Sequence, residues 1–161
     1  MSTIEAKSEA LQKSKAEEFA TARPSRVIEM ALEDLEIVEA DQKYAINMMA
    51  WHEPIARPNF MFPDSYIGKC AVCLAGCVIA NRFQRDRDDD LMPEDFNRSI
   101  EFRLLALDLF RTGAVDGGLR LMDIDPSEGC YALDVTAYED NPTRFKADMR
   151  AMAAMLRNHG L

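Results

Sequence analysis

The sequence predicts an all-α or nearly all-α fold, a compact domain of about five to six helices with room for one short strand pair. Three observations indicate this class. Several long segments repeat apolar residues at helical spacing. Ten methionines against only seven glycines also favour helices. A third observation concerns residues 70–83, which are apolar on nearly every side and long enough to predict a buried central helix.

Length and charge limit the classes of function. A chain of 161 residues fits one domain with its own core. The net charge of −9 opposes binding to nucleic acid phosphates and to anionic lipid. No apolar run approaches the roughly 20 residues of a membrane helix, and no apolar export signal is found in residues 1–20. We therefore expect an acidic cytoplasmic protein with neither membranes nor nucleic acid as partners.

The chain is expected to divide near residue 23. Residues 1–23 predict a charged helical arm, because Ala, Glu, Lys and Ser dominate and apolar residues are sparse. Residues 24–161 predict a single helical domain. Its clearest helix is residues 26–40, with Ser25 as the expected N-cap and glutamates on its outer face. The apolar stripe of this helix is Val27, Ile28, Ala31, Leu32, Leu35 and Val38.

The next segment is rich in aromatic residues and proline. Residues 44–52 are interpreted as a short helix. Residues 53–68 cannot continue it, because Pro54, Pro58 and Pro63 interrupt the segment. This loop carries three aromatic side chains, which are Phe60, Phe62 and Tyr66. Such a loop either covers its own domain or lines a cleft.

Two long helices are expected in the second half. Residues 93–112 end before Gly113 and carry apolar residues on more than one face, which is typical of a central helix or one shared with another subunit. The last helix is expected between Asn141 as its cap and Gly160. Its apolar stripe is Phe145, Met149, Met152 and Leu156. Between the two helices, residues 131–138 are the one predicted strand.

The cysteines have two interpretations. Free cysteine is among the most buried residue types, so Cys70, Cys73 and Cys77 are interpreted first as core residues. On an intact helix, Cys70 and Cys77 would lie about 10 Å apart along the axis. Because thiolates on one zinc ion lie within about 4 Å of each other, all three cannot bind the same ion.

A zinc site is the alternative. The stretch "WHEP" followed by Cys70-x-x-Cys73 resembles the H-x-E and P-C-x-x-C motifs of zinc nucleobase deaminases, although His52 and Glu53 are adjacent and Lys69 replaces the proline. The resemblance covers the cysteine-containing segment only. It implies His52, Cys70 and Cys73 as zinc ligands and Glu53 as the proton shuttle of a hydrolytic deaminase.

A broader resemblance covers residues 27–122. The order of an acidic helix, "WH", "CAVCLAG" and "RLLALDLFRTG" resembles small uncharacterised proteins encoded by phages and bacteria. That resemblance implies an accessory role and no catalytic residue or cofactor. No P-loop, dinucleotide-binding glycine pattern or nucleophile elbow is found in the sequence.

The sequence therefore predicts a non-enzymatic accessory protein that acts through contacts with a protein partner whose identity it does not give. A two-fold homodimer is also expected. Its apolar centre would come from residues 93–112, with the basic flanks of the last helix against the acidic flanks of residues 26–40 at its rim. The alternative is a monomer in which residues 53–68 cover the exposed apolar side.

Overall fold

The computed structural model describes residues 3–83, 85–128 and 133–161, and 59% of these residues are helical. The six α-helices of this part of the chain are α1 (Thr3–Thr21), α2 (Pro24–Glu39), α3 (Leu74–Arg82), α4 (Arg98–Arg111), α5 (Val115–Leu121) and α6 (Pro142–Asn158). Three short strands are β1 (Tyr44–Ile46), β2 (His52–Pro54) and β3 (Cys70–Val72). Short 3-10 helices span Asp64–Tyr66, Pro93–Asp95 and Pro126–Glu128.

The prediction of a mostly helical chain is confirmed, with a small sheet in addition. The described part of the chain contains no helix with the length and apolar character needed to cross a membrane. The apolar stripes predicted for α2 and α6 are buried. Asn141 caps α6 as expected, because its side chain accepts a hydrogen bond from the Arg144 amide at 3.0 Å.

Helices α2 and α6 pack side by side in opposite directions. Their apolar stripes meet in the core, and their charged flanks pair across the contact. Three ion pairs join them within one chain, which are Glu29–Arg157, Glu36–Arg150 and Glu39–Lys146. The acidic and basic flanks expected at a dimer rim therefore neutralise each other inside the monomer.

The three strands form one sheet in the order β1-β3-β2, with β3 parallel to β1 and antiparallel to β2. Successive side chains of a strand point to opposite faces. Cys70 and Val72 belong to the main core on one face, which the helices cover. On the other face Ala71 packs in a second, smaller apolar cluster.

Residues 70–83 are not one helix, so that prediction is wrong in part. The first three residues form β3, which is buried on both faces, and the helix begins only after Cys73. A short apolar run that is buried as a central strand looks like a buried helix in the sequence, since neither shows a polar face. The predicted helix at 44–52 is also wrong, because that segment holds β1, a turn and the start of β2.

Three smaller predictions also need correction. Residues 93–112 do not form one helix: a 3-10 turn comes first, and α4 begins after Asn97, whose side chain accepts a hydrogen bond from the Ile100 amide. Residues 133–138 form no strand, and residues 131 and 132 lie outside the described part of the chain. Finally, α2 begins one residue before Ser25, with Pro24 in its first turn.

Helix α1 docks through its C-terminal end. Phe19 is fully buried and lies edge-on to Phe83 at a ring-centroid distance of 5.9 Å. The Ser99 hydroxyl of α4 donates a hydrogen bond to the Ala20 carbonyl at 3.0 Å. Towards its N-terminus the helix presents exposed Ile4 and other exposed side chains, so most of its length has little to pack against.

A buried ion pair joins α2 to α3. Asp34 is fully buried, and its two carboxylate oxygens accept hydrogen bonds from Arg82 at 3.1 Å each. Asn81 donates a third hydrogen bond to the same carboxylate at 2.8 Å. This buried ion pair lies at the contact between the two helices. Because its hydrogen bonds are directional, it specifies how α3 lies against α2.

Candidate functional site

The cysteine segment passes from the sheet into α3. Cys70 lies on β3, Cys73 is the N-cap of α3, Cys77 lies one turn further, and all three are buried free thiols. The Cys73 sulfur accepts a hydrogen bond from the Gly76 amide at 3.4 Å. A Cβ on Gly76 would lie 1.8 Å from the Trp51 carbonyl oxygen. The glycine therefore allows the chain before β2 to lie directly on the first turn of α3. The fourth cysteine, Cys130, lies outside the described residues.

His52 is fully buried beside Cys70. Its Nδ1 atom lies 2.6 Å from the Asp89 carbonyl oxygen and 3.4 Å from the Cys70 sulfur. A carbonyl oxygen can only accept, so Nδ1 carries the proton and donates a hydrogen bond to the Asp89 carbonyl. The other nitrogen, Nε2, is then an acceptor, and among the described residues it has no hydrogen-bond partner. The contact holds the acidic segment 85–90 against the edge of the sheet.

Burial sets the protonation states of these groups. It lowers the pKa of His52 below its usual value, so the imidazole is neutral at neutral pH. Burial also raises the pKa of Cys70 to about 12 and that of Cys73 to about 11, and it raises the pKa of Cys77 well above the usual range. Cysteine acts as a nucleophile in its thiolate form, so protonated thiols in these surroundings are poorly suited to that role.

The residues expected to hold zinc are not gathered at one point. His52 and Cys70 touch, but Glu53 follows His52 on the same strand and faces the opposite side of the sheet, opposite Ala71. Cys73 caps α3, with its sulfur 4.0 Å from the Trp51 carbonyl oxygen. Within the described ranges no group of three or more His, Cys, Asp or Glu side chains could hold a metal ion. The arrangement does not fit the deaminase ligand set.

The neutral, buried His52 predicts acid sensitivity. The unfolded chain binds a proton on this side chain below about pH 6.5, whereas the folded chain resists it, so stability is lost as the pH falls. Between about pH 7.5 and about pH 5.5 we expect His52 to account for part of this loss. Urea unfolding at both pH values should show a smaller loss in His52→Asn than in wild type. Equal losses in both proteins would contradict the assignment.

Residues 55–68 form an ordered loop, the apolar loop, over the second face of the sheet. Ile55 and Phe62 are buried there against Ala71. The ring of Phe62 stacks on Tyr66 at a centroid distance of 5.9 Å. The loop is closed at its base by a hydrogen bond from the Gly68 amide to the Ile55 carbonyl at 2.7 Å. The inner side of the loop therefore covers its own sheet.

Several large apolar side chains of this region are exposed. Of the eight large apolar side chains that are exposed in the described residues, four lie between residues 49 and 67. These four are Met49, Phe60, Met61 and Ile67. Phe60 is completely exposed, at 101% of its reference area. Sequence reasoning noticed the aromatic loop but not which ring would point outward, because proline spacing gives no direction to side chains.

A small pocket lies next to β2, in the segment that leads to the apolar loop. Its volume is about 220 Å³, and Asp108 and Arg111 of α4 stand on one side of it. The other lining residues are Met48, Met49, Ala50, Trp51 and Cys73. A larger groove of about 470 Å³ lies between α2 and α6, and most of the side chains that line it are charged.

No protein-family model, curated protein or solved structure matches this chain. The resemblances to zinc deaminases and to small phage and bacterial proteins therefore stay predictions. What the protein does has to follow from the burial, contacts and charges of its own residues.

Proposed function

We propose that this protein is a non-enzymatic accessory protein of the phage and bacterial kind, which acts in the cytoplasm through protein–protein contacts. The observation that carries the proposal is Phe60, a fully exposed aromatic ring on an ordered turn. Exposed apolar patches rimmed by polar residues mark interaction sites in folded proteins. Aromatic side chains that become buried on association also supply much of the binding energy at protein interfaces.

The turn that carries Phe60 is held in place before any partner binds. The Asn59 side-chain oxygen accepts a hydrogen bond from the Met61 amide at 2.8 Å. The Asn59 carbonyl accepts a second from the Phe62 amide at 3.1 Å. Burial of Phe62 anchors the turn from below. A preorganised turn loses little conformational entropy on binding, which favours a role in recognition.

The groups with catalytic potential support the same interpretation. His52 and Cys70 lie in the buried core and are uncharged at neutral pH, and Cys73, although it lines the small pocket, is a protonated thiol that is almost fully buried. Glu53 lies on the other sheet face. The alternative function, zinc-dependent deamination with these four residues, would require the strand and the start of α3 to rearrange around the ion.

A homodimer remains part of the proposal, but with a different surface. The charged side chains of α2 and α6 form ion pairs within one chain. They are therefore not available to form ion pairs at the rim of a dimer interface. On α4, Leu104, Leu107 and Phe110 are fully buried in the monomer. The exposed apolar side chains of residues 49–67 are therefore the surface that favours a second chain or another protein partner.

One purified sample tests both functions. Light scattering at micromolar concentration should give about twice the chain mass of 18.2 kDa, because two chains associate. Metal analysis of the same sample should find no stoichiometric zinc. A mass near that of one chain, unchanged on tenfold concentration, would contradict the dimer. About one zinc per chain, lost in the Cys70→Ser variant, would favour the deaminase instead.

A further inference from the structure

The apolar loop is bordered by the acidic segment 85–90 and the residues that follow it. The Arg87 side chain donates a hydrogen bond to the Gly68 carbonyl, at the base of the loop, at 3.0 Å. Further along, the Leu91 amide donates a hydrogen bond to the His52 carbonyl at 3.0 Å. This stretch therefore runs from the base of the apolar loop to the beginning of β2.

The bordering stretch adds to the exposed apolar surface. Met92 follows directly and is 39% exposed. With it, five of the eight large apolar side chains that are exposed in the described residues lie either between residues 49 and 67 or on this border. Three of the five are methionines, which are Met49, Met61 and Met92. Methionine is flexible and polarizable, so a surface rich in it adapts to apolar side chains of different shapes.

The same border is strongly acidic. Residues 85–95 contain six acidic and two basic side chains, and all eight lie at exposed positions. Of the six acids, only Asp88 forms an ion pair with a described residue, which is Arg87 at 3.8 Å. The glutamates of α2 differ, because three of them pair with α6. Most of the carboxylates beside the apolar loop therefore have no cation paired with them in the described part of the chain.

Charge decides which partner fits this surface. The carboxylates repel anionic lipid and nucleic acid phosphates. A second copy related by a two-fold axis brings the same acidic residues to the contact, so it buries the loop but supplies few cations. A protein segment with lysine or arginine beside apolar residues satisfies both the apolar and the acidic part of the surface.

We propose that the apolar loop and residues 85–95 together bind a basic segment of another protein, one that carries lysine or arginine next to apolar residues. This inference rests on the proposed action through protein contacts and names the chemistry of the partner. The apolar side chains of the segment pack against Phe60, Met61 and Ile67, and its cations face the carboxylates of residues 88–90. Because the proposed homodimer uses the same loop, the partner is expected to displace the second copy.

Fluorescence anisotropy with a labelled amphipathic peptide of lysine and leucine tests the proposal. The same peptide with glutamate in place of lysine should bind at least about tenfold more weakly. The variant Asp88→Asn/Asp89→Asn/Asp90→Asn should bind the lysine peptide about tenfold more weakly than wild type, because three exposed charge pairs are lost. The control Asp134→Asn/Glu139→Gln/Asp140→Asn removes three charges at other exposed positions and should bind nearly as wild type does.

The lysine peptide also distinguishes the partner from a second copy. With the peptide at saturation, sedimentation velocity should show a complex that contains one chain, whatever the state of the protein alone. A dimer that keeps both chains while the peptide is bound would place the peptide outside the loop and overturn the proposal.

Phe60→Ser separates this inference from the proposed function. We expect it to weaken binding of the lysine peptide as the triple Asp→Asn variant does, and circular dichroism checks that each variant is folded. If Phe60→Ser weakens binding but the triple variant equals its control, the basic partner is wrong and action through the loop stands. Weakening by the triple variant alone would show charge attraction without apolar contact and would overturn the inference. If neither variant weakens binding, the loop itself is not the contact surface.

Discussion

Replacing Gly76 with alanine is expected to lower the free energy of unfolding by about 3 kcal/mol or more, because the new methyl group has no room. An alanine Cβ would lie 1.8 Å from the Trp51 carbonyl oxygen and 2.9 Å from the Val72 Cβ. The nearest atom belongs to the backbone, so a change of rotamer cannot relieve the clash. Either α3 or the chain before β2 has to move, and the pocket beside Trp51 would be distorted with it.

Gly117→Ala is the matched control. Gly117 lies in α5, and a Cβ there would meet only the end of the Leu109 side chain at 3.3 Å. Alanine is the better helix former by about 1 kcal/mol, so this variant should be as stable as wild type or slightly more stable. Chemical denaturation of both variants measures the difference. If Gly76→Ala were as stable as Gly117→Ala, the close approach of Trp51 to α3 would be wrong.

Asp34→Ala is expected to destabilise the protein by about 3–5 kcal/mol, the cost of breaking a buried ion pair. The substitution removes three hydrogen bonds from Arg82 and Asn81. Arg82 stays buried, with the carboxylates of Glu33 and Glu18 at the longer distances of 3.6 and 4.0 Å. Replacing both members, as Asp34→Leu with Arg82→Met, should recover much of the loss because no buried charge remains.

Glu36→Ala is the control for this prediction. Glu36 pairs with Arg150 at 2.9 Å, but both side chains are more than half exposed. Exposed ion pairs contribute about 0–1 kcal/mol, so its loss should be small. Thermal or urea unfolding distinguishes the two sites. An Asp34→Ala variant no less stable than Glu36→Ala would show that the buried pair does not hold α3 against α2.

Periodicity predicted the long helices α2 and α6 well because the backbone hydrogen bonds of a helix are local in sequence and its buried face recurs at a fixed spacing. The buried stripe of α2 and the cap and stripe of α6 follow from spacing and from Asn141 alone. The sheet did not follow, because each strand is only three residues long and each is stabilised by partners far away in the chain. The sequence predicted a helix at residues 70–72, because a strand that is buried on both faces shows no alternation of apolar and polar residues.

The candidate site, too, could be predicted from the sequence only in part. The sequence drew attention to His52, Glu53, Cys70 and Cys73, and the structure brings only His52 and Cys70 into contact. His52 and Glu53 are adjacent in the sequence. Once β2 is known to be a strand, it follows that their side chains point to opposite faces of the sheet, because neighbours on a strand do so. The outward direction of Phe60 depends on the Asn59 turn and on burial of Phe62. Neither the Asn59 turn nor the burial of Phe62 produces a periodic pattern in the sequence.

The central claim is that the protein works through contacts made by its exposed apolar loop, and sedimentation velocity tests it most directly. Wild type, Phe60→Ser and Ile37→Ser are compared at equal micromolar concentrations. Both substitutions remove one exposed apolar side chain, at 101% and 55% exposure respectively. The account predicts dimers of wild type and Ile37→Ser and monomers of Phe60→Ser. A wild type that sediments as a monomer, or a Phe60→Ser variant that dimerises as strongly as Ile37→Ser, would contradict it.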